Sequence, residues 1–557
     1  MTAPHSSLQS FLLLAPEIVL VAAALVAFLG GAFVGLRSGW LVALAGIGVA
    51  MLVAGGQPDA GTWLASGGIR LDAFSAYVRW TVLALGAILA LVQSGDLFRS
   101  AVTRDDATLG GRRDVGTCEE AGTFLVLLAG LSLASVADDL VLLFVGLELV
   151  SIPTYILLAL KRTDAHGQEA SLKYFFLSLV ASSLFLYAVA CLYGIGGSTS
   201  LEVISSQLRS PAGAGMATVL LPVTIGMALA GAAFRLAAVP MHFYAPDVYE
   251  GTSPSNAALL STLPKIAGLV VLVRVLALAI APEGQTVSGA AATHLAVFWP
   301  LAAALAAVTM TVGNVMALLQ TNLRRLLACS SIAHAGYLLV GVAAAAAGAA
   351  ARAGTDPPGG DTSWTLGLGG LSAALFYLST YVLATAGVFA AVTYLGHRWP
   401  EWKASGPRPP REEIATVDDL DGLASTNPVA AFAIALFLLS LAGIPPLPGF
   451  WGKLSLAAAS LEVDWNAAVE FGSRRCFFVS LAVILVLNAA IAAAYYLRII
   501  AAMYFKGTKR GVQADGGLSA GVAMLLCTVL VLMVALQPRG LFVASSRAGD
   551  AIEKIRP

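Results

Sequence analysis

The sequence predicts an all-α, polytopic membrane protein, a single transmembrane domain over residues 1–557. Three observations carry this. The chain is 58% hydrophobic and only 11% charged, whereas a soluble domain is nearer half apolar and about a quarter charged. The apolar residues arrive in blocks of roughly 20, the length that crosses a bilayer as a helix. Glycine is abundant, with 56 residues, and many of them lie within those blocks, where small residues let helices approach closely in lipid. The formal net charge is zero, so no overall charge draws the chain to nucleic acid.

Hydropathy places about 14 spans. They fall at 11–35, 39–56, 72–95, 119–137, 139–160, 169–195, 216–240, 254–281, 291–319, 324–350, 364–396, 428–461, 474–505 and 516–536. The first block lacks a basic leader, and its apolar run is too long for a cleaved signal peptide. It reads as a retained first transmembrane helix. The block at 428–461 is too long for one straight span and contains Gly443, Pro445, Pro446, Pro448, Gly449 and Gly452. It reads as two half-helices with a break between them. The block ending near Pro240 is a weaker candidate for the same feature.

Loop charge sets the orientation. Connections after the odd-numbered spans carry Arg37, Arg99, Arg104, Arg112, Arg113, Lys161, Arg162, Arg324, Arg325, Arg398, Lys403, Arg408, Arg411, Lys506, Lys509 and Arg510. The opposite loops carry mainly Arg70, Arg209, Arg352, Arg474 and Arg475. The first set is expected to be cytoplasmic, with both termini outside. The basic tail, with Arg539, Arg547, Lys554 and Arg556, weighs against this. The loops at 96–118 and 397–427 are long and charged, and nothing in the sequence accounts for them.

The five cysteines (Cys118, Cys191, Cys329, Cys476 and Cys527) are far apart, with no C-x-x-C or C-x-x-C-H. Nothing therefore points to an iron–sulfur cluster, haem, zinc site or disulfide framework. There is no Walker A loop, no Rossmann fingerprint and no Ser-His-Asp arrangement. Any energy the protein uses is expected to come from a partner or an ion gradient.

The chemistry lies in charges inside apolar blocks. Glu148, Lys173, Arg235, Lys265 and Lys453 all sit within spans. A charge at mid-membrane costs about 2.5–3.5 kcal/mol on insertion scales, and the set would cost on the order of 10 kcal/mol unpaired. That is comparable with the whole stability of a fold. These residues must therefore face the bundle interior, water or one another. One reading is structural ion pairing, but one carboxylate among four cations cannot pair them all, and Lys173 is placed to snorkel. The other reading is a proton relay. Burial disfavours the charged form of a lysine, and a nearby carboxylate favours it. Moving the carboxylate would then switch the lysine between holding and releasing a proton. Broken helices fit this picture, because freed backbone groups at membrane depth survive only in protein or beside a cavity, and transporters place ion sites there. His334, inside SSIAHAGYLLVG, suits either packing or proton passing. His242, in VPMHFYAPDVYEG, is either a relay exit or a loop residue. Asn314, Asn488 and Tyr377 read as structural hydrogen-bonding groups.

Six segments, in order and spacing, resemble one family. They are GLELVSIPTYILLAL, EASLKYFFLSLVASSLFLYAVACLYG, FRLAAVPMHFYAPDVYEGTSP, LSTLPKIAG, TNLRRLLACSSIAHAGYLLVG and LAGIPPLPGFWGKL. The family is that of subunit N of proton-pumping NADH-quinone oxidoreductase (respiratory complex I), and PDVYEG after VPMHF is its most specific stretch. The resemblance implies 14 transmembrane helices, with two inverted five-helix repeats that each contain one broken helix. These map to about 119–281 and 291–505, after N-terminal helices in 1–118 and before a last helix and tail in 516–557.

The resemblance also implies that Glu148, Lys173, Lys265 and Lys453 carry function, with His334 between the last two. Lys453 would connect toward the outer exit. At the family's seventh-helix lysine this chain has Arg235, and arginine keeps its proton in proteins. Either Arg235 is a fixed charge tuning Lys265 and Glu148, or water bypasses it, or pumping is impaired. The expected setting is a bacterial plasma (inner) membrane, beside other antiporter-like and small membrane subunits of complex I and membrane lipid. NADH, FMN, iron–sulfur clusters and quinone are expected in partner subunits and no cofactor in this chain. Two rival readings remain. One is a subunit of a multi-subunit sodium/proton antiporter without redox partners, against which PDVYEG argues. The other is a non-pumping structural subunit, to which Arg235 gives weight.

Overall fold

A computed structural model describes residues 11–553 except 37, 58–63, 67, 95–109, 162–163, 210–213, 281–288, 353–368, 399–411, 465–469, 508–511, 513 and 515. Much of both long charged loops lies outside the described residues. The described chain is almost entirely helical. It opens with α1 (Ala15–Leu29), which runs into a π-turn at Gly30–Val34, and α2 (Gly39–Gly55). A small antiparallel hairpin, β1 (Leu64–Ser66) and β2 (Ile69–Leu71), leads to α3 (Ala73–Gln93) and α4 (Gly110–Val136). Then come α5 (Leu140–Lys161), α6 (Ala165–Gly196), α7 (Leu201–Arg209), α8 (Ala214–Leu236), the one-turn-and-more α9 (Ala245–Gly251) and α10 (Pro254–Ala277). The second half holds α11 (Gly289–Leu318), α12 (Leu323–Arg352), α13 (Gly370–Leu395) and a two-residue ladder of β3 (His397–Arg398) with β4 (Glu412–Glu413). It continues through α14 (Leu423–Thr426), α15 (Pro428–Ala442), α16 (Pro448–Glu462), α17 (Arg474–Phe505), α18 (Leu518–Leu536) and α19 (Arg539–Glu553).

Among the described residues, 11 helices are long and apolar enough to cross a membrane, and the protein is a multi-pass membrane protein. Three shorter apolar helices, Gly39–Gly55, Leu220–Leu236 and Pro428–Ala442, fall at three further hydropathy blocks. The block at 428–461 is indeed two helices, α15 and α16. The block at 216–240 ends early, at Leu236, and the chain turns before α9. Besides the short α9 and α14, two helices were not foreseen, α7 and α19. Both are amphipathic, so hydropathy passes over them, and α19 packs through Phe542, stacked 3.9 Å from Phe376.

Burial sorts the helices. The apolar windows of α10 and α12 are wholly enclosed and that of α13 nearly so, whereas α1, α6, α11 and α17 leave most of theirs uncovered. The uncovered faces carry Leu, Val, Phe and Ile, which suits contact with lipid rather than water. The three enclosed helices carry Lys265, His334 and Tyr377. The N-terminal helices are pinned by an ion pair absent from the sequence reading. Arg79 on α3 donates to both oxygens of Glu17 on α1, at 2.8 and 3.0 Å. Gln57 and Ser132 complete the cluster at 2.7 and 2.5 Å. A buried pair so fully hydrogen-bonded is a clamp between helices.

Candidate proton pathway

A helix that stops inside the bundle frees its last carbonyls, and each needs a donor. At the end of α15 the chain turns through Gly443, whose φ of +86° only glycine adopts freely. The Gly443 N–H donates to Leu439 and Ser440, and Ile444 N–H to Leu439. The next two carbonyls, of Leu441 and Ala442, both accept from the Lys453 ammonium, at 2.9 Å each. Lys453 comes from the second half-helix, α16, and its Nζ lies 4.9 Å from the centre of the Tyr337 ring.

The end of α8 repeats the device. The Phe234 carbonyl accepts from the Tyr244 hydroxyl at 2.9 Å, and the Leu236 carbonyl from Lys265 Nζ at 2.6 Å. Lys265 reaches it from α10 and also donates to the Ser331 carbonyl of α12 at 2.8 Å. A helix C-terminus carries partial negative charge and favours a cation. Both buried lysines therefore sit where backbone dipoles hold an ammonium without a carboxylate.

Between the lysines lies a row of rings. His334 on α12 has Nδ1 2.5 Å from the Tyr377 hydroxyl and Nε2 3.0 Å from that of Tyr496. Its ring lies 4.7 Å from that of Tyr381 and 5.7 Å from that of Tyr337. Tyr381, whose ring is under Lys265 with Nζ 5.7 Å from its centre, hydrogen-bonds Ser331 Oγ at 2.9 Å. Tyr496 also meets Ser330. The structure thus brings Lys265, His334 and Lys453 into one buried row, linked through the rings of Tyr381 and Tyr337, with the Tyr377 and Tyr496 hydroxyls on His334. Tyr377, read from sequence as structural, is part of this row. Asn314 and Asn488 bond each other at 3.0 Å, and Asn314 bonds Tyr337 at 3.2 Å, which steadies the ring beneath Lys453.

Glu148 and Arg235 form a second group. Arg235 donates to Ser151 Oγ at 2.7 Å and lies 3.4 Å from Glu148, while Ser182 donates to Glu148 at 2.5 Å. Arg235 is the residue before Leu236, so one helix end carries the Glu148 ion pair on its side chain and Lys265 on its backbone. His242 stands half-buried in the turn after this helix end.

Lys173 is not in the buried row, and this corrects the expectation of too few carboxylates. Its side chain is 40% exposed and pairs with Glu169 at 2.7 Å and Asp247 at 3.0 Å. Arg325 donates to Asp247 at 2.9 Å and to Glu250 at 2.7 Å. These groups line an open cleft of about 400 Å³ with His166 and Asn322. Burial alone would raise the Asp247 carboxyl, but Lys173 and Arg325 more than offset it and hold it below the ordinary carboxylate range.

A depressed carboxyl stabilises the fold above its unfolded value and loses that contribution as pH falls through the folded value. Thermal unfolding of the purified chain against pH is therefore expected to show Asp247→Asn less stable than wild type at neutral pH. The difference should disappear in acid. A difference that widens in acid would contradict the sign.

Sequence reasoning missed Ser182, Ser331, Tyr337, Tyr381 and Tyr496. Tyrosine and serine barely disturb hydropathy, and the one signal available was their helical spacing, as in Tyr377 with Tyr381.

The comparisons agree on a family. The family described as NADH:quinone oxidoreductase/Mrp antiporter, TM, matches residues 137–355 and 363–478, which include all six candidate residues. The NADH-quinone oxidoreductase subunit N of Anaeromyxobacter sp. is 35% identical over 459 residues, covering 80% of this chain and 77% of that one. A chain of respiratory complex I from Thermus thermophilus superposes with a TM-score of 0.69 at 27% identity, covering 96% of this chain and 99% of its own. A chain of the Mrp complex from Dietzia sp. superposes with a TM-score of 0.73 at 22% identity, covering 99% and 98%, and shares the fold. On that match and that identity, the chain belongs to the NADH:quinone oxidoreductase/Mrp antiporter transmembrane family, on the branch of NADH-quinone oxidoreductase subunit N.

Proposed function

We propose that this chain is a proton-translocating membrane subunit of an NADH-quinone oxidoreductase, working beside the other membrane subunits of that complex. Electron transfer from NADH to quinone takes place in partner subunits, which hold the FMN, iron–sulfur clusters and quinone. This chain takes part in the translocase without a redox centre of its own. The observation that carries the reading is the pair of buried lysines, each seated on the freed carbonyls of an interrupted helix and joined by the His334 row.

In this reading Lys265 receives a proton, His334 and its tyrosines pass it on, and Lys453 hands it toward the outer side. Glu148 sets the gate. Arg235 keeps its proton and serves as the fixed counter-charge of Glu148. Lys173 belongs to the cytoplasmic approach. Fourteen crossings follow if the three shorter apolar helices count with the 11 long ones. The two inverted repeats, about 119–281 and 291–505, are supported by the recurrence of one interrupted helix with one lysine in each.

The setting is a bacterial plasma membrane. The basic residues of the connections after the odd-numbered spans, among them Lys161, Arg325 and Lys506, support a cytoplasmic face there and termini outside.

Purifying the native complex tests this. Flavin, iron and NADH oxidation coupled to quinone reduction are expected to accompany the chain. A complex that exchanges sodium for protons and carries none of them would overturn the reading.

A further inference from the structure

We propose that Tyr337 and Tyr381 are positioning residues, holding the ammonium groups of the two buried lysines with the faces of their rings. This deepens the reading above and rests on it.

A lysine ammonium has three N–H groups and no acceptor. In each seat two carbonyls engage it. Lys453 donates to Leu441 and Ala442, and Lys265 to Leu236 and Ser331. Each ammonium also stands over one ring. Lys453 Nζ is 4.9 Å from the centre of Tyr337, and Lys265 Nζ is 5.7 Å from that of Tyr381. Both lie inside the distance of about 6 Å at which a ring face attracts a cation, and the attraction grows when the cation is desolvated. Lys453 is 6% exposed and Lys265 1%.

The rings are fixed by their far ends. Asn314 donates to the Tyr337 hydroxyl at 3.2 Å, and is itself held by Asn488 and by the Tyr495 hydroxyl, at 3.0 Å each. The Tyr381 hydroxyl is tied to Ser331 Oγ at 2.9 Å and to the Ser261 carbonyl at 3.0 Å. The lysines therefore meet faces, not hydroxyls.

The tyrosines around His334 divide into two kinds. Tyr377 and Tyr496 bring hydroxyls to its ring nitrogens. Tyr337 and Tyr381 lie beside it and present their faces to the lysines on either side. A carboxylate in such a seat would grip the ammonium more tightly and could itself take the proton. A ring face attracts the cation and accepts no proton, so the lysine stays free to pass its own onward.

The test is the proton-to-electron ratio of the assembled complex in sealed vesicles. Tyr337→Phe and Tyr381→Phe keep the faces and are expected to pump as wild type. Tyr337→Leu and Tyr381→Leu remove them, and proton transfer should fall about tenfold. Leucine also changes packing, so the deciding series places phenylalanine carrying one, two or three fluorines at each position. Fluorine drains the face of electron density while nearly keeping the shape. The ratio should fall step by step with fluorine number, with NADH oxidation still measurable, which a purely structural role would not produce. If Lys265→Ala and Lys453→Ala lower the ratio while the fluorinated series stays flat, or if the two Tyr→Phe variants fail, the ring faces do not hold the charge and the preceding reading stands without them. If the lysine variants themselves leave the ratio unchanged, the preceding reading fails, and this one with it.

Discussion

Replacing Lys453 by alanine is expected to slow proton transfer through this chain by about 100-fold or more, the usual scale for losing a positioned acid or base. Lys453 is 6% exposed, and its ammonium is the donor to Leu441 and Ala442. Removing it takes the proton carrier from the end of the row and leaves two carbonyls to find water at membrane depth. The second effect costs about 1–3 kcal/mol per group, so alanine alone confounds chemistry with structure. Lys453→Arg separates them. Arginine still donates to both carbonyls but does not release a proton at working pH. The expected outcome is full assembly with pumping as poor as in the alanine variant. An arginine variant that pumps at the wild-type rate would show that Lys453 is only a cap.

Gly449→Ala is expected to destabilise the fold more than any other single methyl group near the pathway, by about 3 kcal/mol or more. A Cβ there would stand 1.8 Å from the Ser440 carbonyl oxygen and 2.7 Å from its carbon. Both are backbone, so a rotamer change cannot relieve the clash. One half-helix must shift, and that moves Lys453, four residues along α16, off the end of α15. Membrane yield and thermal unfolding should both drop sharply. Gly507→Ala, which meets nothing within 4 Å, is the control expected to behave as wild type.

How much of this was legible in the sequence depended on what each feature does to hydropathy. The long helices were readable because a span must be apolar to sit in lipid. The break after Ala442 was readable because three prolines and two glycines follow within seven residues. The break after Leu236 has only Pro240 to mark it, and the turn there is made by Ala237, with φ at +57°.

Lys265 and Lys453 stood out as charges in apolar runs. Arg79 and Arg274 carry the same signal and were passed over. Arg79 closes on Glu17, and Arg274 lies near Asp72, 3.6 Å away, pairings between segments far apart in the chain that no local pattern reveals. Lys173 was read within the first turns of its helix, but its partner Asp247 was not foreseen, because it lies on a helix too short to predict. The ring row around His334 was the least legible part, because tyrosine is apolar enough to pass as core and its meaning comes only from packing α12 against α13 and α17.

The central claim is that protons cross this chain by way of Lys265 in its buried row. The most direct measurement is the number of protons moved per electron by reconstituted complex carrying Lys265→Ala, with electron transfer from NADH to quinone followed in the same vesicles. The account predicts a lower ratio in a fully assembled complex that still oxidises NADH. An unchanged ratio with Lys265 gone would contradict it.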